Sequence, residues 1–357
     1  MTDFTFVDEP DTIASDLHPH EVLGVDTEFM REKTFFAQLC LVQLATRKRV
    51  YCVDPLAGND MQAFWIAVCD RTWVVHSARQ DIEVIFQTAE RMPGALFDTQ
   101  IAAGLLGLQP QMGYAGLVKE LFGVEISKSH TRADWTKRPL ADAFLHYAVE
   151  DVEYLLPAYD ILKGRLQQAG RLTWAEQDST MLLDDSLYVA DASQAVSRLK
   201  GARNLRGRRR AAAARLAAWR EQEALGRNRP RQWILRDRVL LDIAASQPDS
   251  MAALQRVEDL PPKLVQRAGE ALLEIVASSA HDDHDYQPPS APDERQKKLL
   301  KTMQSAVDNC AAELGISAEL VAPRKELSAV IISGTRSSRV FQGWRRELIG
   351  ERLLELL

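Results

Sequence analysis

Residues 22–54 read VLGVDTEFMREKTFFAQLCLVQLATRKRVYCVD. Three apolar runs stand out in this stretch: VLGVDTEF (22–29), FFAQLCLVQLAT (35–46) and RVYCVD (49–54). Their β-branched and aromatic content and the charged segments between them predict three neighbouring strands. An amphipathic segment follows, and TWVVHS (72–77) is a fourth predicted strand. Close strands followed by a strand and helices predict a mixed sheet with flanking helices. From Asp98 the pattern turns helical, through DTQIAAGLLG, YAGLVKELFG and the long LADAFLHYAVEDVEYLLPAYDILKGRLQ (140–167). Pro157 is expected to kink or interrupt that last helix, because proline lacks the N–H and crowds the preceding turn.

Residues ~170–200, with EQDSTMLLDDSLYVADAS, are acidic and weakly periodic, and a domain boundary is expected near residue 200. Beyond it, RRRAAAARLAAWREQEAL, DRVLLDIAAS, MAALQRV and KLVQRAGEALLEIVAS are short helices separated by Pro or Gly, the pattern of a small bundle. The Pro-rich, charged stretch HDDHDYQPPSAPDE separates it from a last helical segment beginning near Glu294. At 357 residues the chain exceeds the usual size of one hydrophobic core. The expected division is 1–200, 205–282 and 290–357.

The formal net charge of −6 hides an asymmetry. Lys and Arg number 16 against 29 Asp and Glu in residues 1–196, but 14 against 3 in residues 197–240. That basic belt (RLKGARNLRGRRR, then GRNRPRQWILRDR) has the arginine density suited to neutralising phosphates. A solvated helix face is the alternative. Cys40, Cys52, Cys69 and Cys310 show no C-x-x-C spacing, and three of them lie in apolar runs as expected buried thiols. The N-terminus is acidic where a secretory signal is basic and then apolar, and no apolar stretch reaches membrane-spanning length. A cytoplasmic monomer without a membrane partner is expected.

Hydrolysis of a phosphodiester by two divalent cations requires several carboxylates that converge. Asp26 and Glu28 lie in VDTEF, and positions i and i+2 of a strand share a face. The chain contains two more D-x-E tripeptides, at Asp81 and Asp151, but both fall in helical patterns where i and i+2 diverge. Glu83 and Glu153 are therefore read as bystanders. Tyr147 and Asp151 stand four apart on a helix and share a face, so the tyrosine hydroxyl is placed to hold water beside a carboxylate. A core aromatic with a satisfied hydroxyl is the plainer reading of Tyr147 by itself.

Together these segments resemble the tyrosine form of the DEDD 3′→5′ exonucleases. VDTEF is similar to the first motif, HSARQDIEVI to the second with Asp81 as its acid, and HYAVEDVEYL to the third, Y-x-x-x-D. FFAQLCLVQLA, FDTQIAAGLLG and DWTKRPL resemble the intervening sequence of the ribonuclease D family. RNRPRQWILRD with DLPPKLVQRAGEALLEIV resembles an HRDC domain, and VAPRKEL with GWRREL the C-terminal region of that family. The resemblance implies a ribonuclease H-like α/β exonuclease domain followed by two all-α HRDC-type bundles. It implies Asp26, Glu28, Asp81 and Asp151 as ligands of two Mg²⁺ or Mn²⁺ ions, and Tyr147 as the residue that orients water. The implied activity is release of nucleoside 5′-monophosphates from RNA 3′ ends, among them those of tRNA precursors and other small structured RNAs.

Further candidates lie nearby. His76, Lys137 and Arg138 are candidate RNA contacts, the two cations for a phosphate near the scissile bond; a structural role for His76 and solvated helix-flanking charge for the cations are the alternatives. Phe29 and Trp135 are candidates for stacking on terminal bases. Trp233 and Trp344 are expected packing anchors of the helical bundles. His281 and His284, in HDDHD, imitate metal-ligand spacing but sit in a Pro-rich linker. HRDC-like modules also occur in helicases, yet the phosphate loop G-x-x-x-x-G-K-[ST] is absent from the sequence. A DNA exonuclease is the competing enzyme, since the carboxylate motifs do not register a 2′-hydroxyl. An inactive RNA-binding scaffold would be expected to lack a ligand, and none is missing.

Overall fold

The computed structural model describes residues 3–126, 133–279, 286 and 291–357. His281 and His284 lie outside the described residues. The chain groups into two compact units: Met1–Met30, Gln38–Tyr188 and Pro292–Leu357 form the first, Arg31–Ala37 and Val189–Ala291 the second.

The first unit is built on a mixed six-stranded sheet of order β1-β4-β3-β2-β5-β6. Its strands are β1 (Phe4–Val7), β2 (Val22–Met30), β3 (Gln38–Ala45), β4 (Val50–Val53), β5 (Thr72–Val75) and β6 (Ala95–Asp98). The three predicted runs form the antiparallel meander β2-β3-β4, and β5 pairs parallel with β2. β1 and β6 are additions to the expected four strands. β1 (FTFV) opens at once onto the acidic DEPD and β6 (ALFD) has a single β-favouring residue, so neither registers as an apolar run.

The long predicted helix divides at Tyr154 into Asp142–Glu153 and Leu155–Gln168. Pro157 is the third residue of the second piece, where its missing N–H is not needed, and a continuous helix would drive its ring into the Glu153 carbonyl. The Tyr154 N–H donates instead to the Tyr114 hydroxyl at 3.2 Å. Asp142–Glu153 packs on β2, β3 and β4.

The C-terminal segment, expected as a separate domain from residue 290, joins the core of the sheet unit. Leu300, Met303, Val307 and Leu327 share one hydrophobic cluster with Phe97, Leu105 and Leu166. Two glycines admit the contact. A Cβ on Gly104 would meet Leu320 Cδ1 at 2.9 Å, and one on Gly107, at φ +80°, would meet the Gly315 carbonyl oxygen. Asp178 and Arg345 form a buried two-pronged ion pair at 2.6 and 2.7 Å. Trp344 donates its indole N–H to Asp178 and stacks on Trp174 with centroids 4.6 Å apart, so it is the anchor expected of it.

The second unit contains helices Arg208–Gly226, Arg231–Ile234, Asp237–Ser246, Met251–Leu254 and Pro262–Ser278. Its core includes Leu216, Leu240, Ile243, Leu272 and Val276. Part of the basic belt is neutralised internally. Buried Glu221 accepts from Arg198 and Arg231, and Arg220 pairs with Asp237 at 2.6 Å. Trp233 corrects the expectation placed on it: it is 59% exposed, because Ile234 and Leu235 take the core-facing positions beside it.

Candidate active site

β2 carries Asp26 and Glu28 on one face. Its register with β3 shifts between Glu28 and Phe29, so the strand is bulged where the second carboxylate ends and Phe29 begins. Asp81 stands in the first turn of helix Arg79–Ala89, where free backbone N–H groups favour an anion. Thr27, alternating to the other face of β2, donates its hydroxyl to Asp81 Oδ1 at 2.6 Å. The turn entering that helix is held by buried Asp98. Its Oδ2 accepts from the Ala78 N–H at 2.9 Å, and its Oδ1 from Ser77 N–H at 3.2 Å and Gln100 N–H at 2.8 Å. One carboxylate thus closes the second motif and caps helix Thr99–Leu105.

Asp151 comes from helix Asp142–Glu153, and Tyr147, one turn earlier, is hydrogen-bonded to it. Burial and the charges of Asp81, Asp151 and Glu28 hold Asp26 well above the ordinary carboxylate range. Glu28 is pushed up to about 9 by burial, then by Asp151 and Asp81. Asp81 and Asp151 are each raised to about 7, chiefly by burial, with their bonds from Thr27 and Tyr147 opposing the rise. Burial and then the charge of Asp151 keep the Tyr147 phenol neutral, so it acts as a donor and not as a base.

Four carboxylates from three elements therefore stand in one another's field. Among the described residues, no three His, Cys, Asp or Glu side chains close into a finished coordination cage. An all-oxygen donor set under mutual repulsion nevertheless fits a hard divalent cation. A residue missed by the sequence reading supports the fit. Gln43 lies directly opposite Asp26 in the β2–β3 register, is fully buried, and has no partner for either amide atom among the described residues. An orphaned buried amide costs about 1–3 kcal/mol, and a hydrated cation on Asp26 would offer it partners. Gln43 was visible as the polar interruption of LCLVQLA.

The remaining candidates divide. His76 is corrected to a structural role: its ring nitrogens are engaged by the Thr99 hydroxyl at 2.9 Å and the Met112 carbonyl at 2.8 Å. Arg138 is likewise occupied. It makes a two-pronged pair with Asp54 at 2.5 and 2.6 Å and donates to the carbonyls of Cys40, Trp135 and Lys137. Trp135 is buried against Phe144 and Tyr147, part of the core and not a base platform. Lys137 projects with its side chain 76% exposed, 3.8 Å from Asp134. Phe29 is half-buried.

The 3′-5′ exonuclease family matches residues 4–167, and the HRDC domain family matches residues 209–276, within the first expected bundle. Ribonuclease D of Pseudomonas paraeruginosa is 34% identical over 345 residues, covering 94% of this chain and 92% of the relative. Ribonuclease D of Acidiphilium cryptum is 37% identical over 343 residues, covering 93% and 86%. The crystal structure of Escherichia coli RNase D, described as an exoribonuclease involved in structured RNA processing, superposes with a TM-score of 0.91 at 27% identity. It covers 99% of this chain and 98% of that one. The catalytic core of RRP6 from Trypanosoma brucei shares the fold, with a TM-score of 0.59 at 24% identity over 78% of this chain and 80% of that core. Carboxylate geometry, domain matches and near full-length likeness together make this chain a member of the ribonuclease D family, a 3′→5′ exoribonuclease.

Proposed function

We propose that the chain shortens the 3′ ends of tRNA precursors and other small structured RNAs, releasing nucleoside 5′-monophosphates. The observation that carries this reading is the meeting of Asp26, Glu28, Asp81 and Asp151 in one buried electrostatic cluster, with Tyr147 bonded to the last. Two divalent ions, Mg²⁺ or Mn²⁺, held by these four carboxylates would supply the charge that water activation and departure of the 3′ oxygen require. The neutral Tyr147 hydroxyl, fixed against Asp151, orients the attacking water. Phe29 packs against the terminal nucleotide, and Lys137 faces a backbone phosphate. The protein acts as a cytoplasmic monomer; no helix among the described residues is long and apolar enough to cross a membrane.

The C-terminal helices are, in the same reading, a second, diverged HRDC-type bundle. Support comes from an echo in element lengths. Helices of 19, 4 and 10 residues, starting at Arg208, Arg231 and Asp237, are followed by helices of 21, 4 and 10 residues, starting at Glu294, Ala318 and Arg324.

The test is incubation of 5′-labelled single-stranded RNA, and DNA of the same sequence, with Mg²⁺ and either wild-type protein or Asp151→Asn. A single-nucleotide ladder, stronger on RNA and abolished by the substitution, is the expected result. No ladder on either substrate, also with Mn²⁺, overturns the reading. Thermal melting separates the roles: Mn²⁺ is expected to stabilise wild type and Tyr147→Phe alike, and Asp26→Asn much less.

A further inference from the structure

Five arginines lie in residues 226–238, and the described structure sorts them sharply. Arg227 pairs with Glu223, Arg231 with Glu221, and Arg238 with Glu258. Arg229 and Arg236 make no ion pair with any described residue, and both are exposed. These two flank the exposed Trp233. The Arg229 guanidinium stands over the indole at 5.9 Å from its centroid. Arg236 and Trp233 line one open cavity of about 720 Å³, with Leu235 and Pro261 among its apolar walls and Asp259 its one carboxylate.

A single exposed apolar residue is ordinary; Trp233 is set apart by the two guanidinium groups beside it, and the parallel helix of the C-terminal segment shows the same position covered. Leu320 is the third residue of Ala318–Val321, as Trp233 is of Arg231–Ile234, and Leu320 is seated against Gly104. At the matching position the first bundle presents a larger, flat ring with two free cations beside it. A flat apolar ring between cations matches a nucleobase between phosphates. The surrounding belt, with 14 basic against 3 acidic residues over 197–240, carries the charge complementary to a polyanion.

We propose that Trp233 is a stacking platform for a base of single-stranded RNA, with Arg229 and Arg236 as contacts to the adjoining phosphates. This rests on the exoribonuclease reading and extends it to a second RNA contact, one that holds substrate without touching the reacting phosphate.

The experiment uses the full chain carrying Asp151→Asn, so that RNA survives, and measures anisotropy of 5′-fluorescein oligoadenylate over a salt series. Adding Trp233→Ala is expected to weaken binding on the order of 10-fold, with the salt slope unchanged. Trp233→Phe should recover most of the loss. Arg229→Gln and Arg236→Gln should each lower the salt slope by about 0.7. An oligonucleotide of abasic residues should bind the parent and Trp233→Ala equally. If the parent binds oligoadenylate and Trp233→Ala binds it equally well, the platform is overturned while the nuclease reading stands. If the parent binds no RNA, the nuclease reading falls and the platform with it. Trp233→Ala is expected to melt with the parent, which separates lost contact from lost folding.

Discussion

Residues 208–246 and 294–333 run through the same succession of long helix, one-turn helix and ten-residue helix, yet their environments differ at each step. In the C-terminal set Leu320 is packed against Gly104, and the carbonyls of Leu320 and Val321 accept from buried Arg345, itself paired with Asp178. In the earlier set the Leu235 carbonyl accepts from buried Arg220, whose partner Asp237 is half-exposed, and Trp233 faces water. The first arrangement makes a bundle part of an enzyme's core. The second leaves a bundle with its own core and a free ligand-sized surface. Similar backbone can thus serve as structure or as recognition, according to what a single turn of helix touches.

The comparison can be broken most severely by deleting residues 292–357. Leu105 and Leu166 would then lose Leu300, Met303 and Val307 from the hydrophobic cluster they share. Loss of cooperative unfolding, followed by circular dichroism in urea, is expected; a two-state transition at the wild-type midpoint would refute the shared core. Next in size is Asp178→Ala, which strands a buried guanidinium and should cost about 3–5 kcal/mol. Asp237→Ala removes a half-exposed carboxylate from buried Arg220, which keeps the Leu235 carbonyl, and should cost less, about 1–3 kcal/mol. Equal losses in urea melts would erase the distinction between the two sets. Gly107→Ala combines a left-handed backbone with a collision at the Gly315 carbonyl. It should cost about 1–3 kcal/mol, read as a lower melting temperature. The smallest effect belongs to Trp233→Ala, within about 0.5 kcal/mol of wild type, whereas Trp344→Ala should cost about 3–5 kcal/mol.

The two tryptophans show how far sequence reading reaches. Both sit beside arginine and apolar residues, and helices of four and three residues are too short for periodicity to say which side faces the core. β2, β3, β4 and β5 were legible because each falls in an apolar run rich in β-branched or aromatic residues. β1 was not, since FTFV opens at once onto the acidic DEPD, nor was β6, since ALFD has a single β-favouring residue. Asp26 with Glu28, and Tyr147 with Asp151, were legible because i, i+2 and i, i+4 spacings fix a shared face once strand and helix are recognised. The fates of His76 and Arg138 were not, since their partners arrive from far along the chain: Thr99 and Met112 for one, Asp54 for the other. Spacing reports which side chains share a face, and only tertiary structure reports which are already satisfied.

The pair between Asp178 and Arg345 joins residues 167 positions apart in the chain. During synthesis the ribosome releases the sheet and its carboxylates first, then the whole segment 189–291, and only then the residues that complete the first core. Domains generally fold as units as they emerge. The later-made helices 208–278 can therefore close their core while the enzyme's own remains open at one side. A nascent chain thus closes the core of helices 208–278 before residues 300–354 arrive to complete the core of the sheet unit.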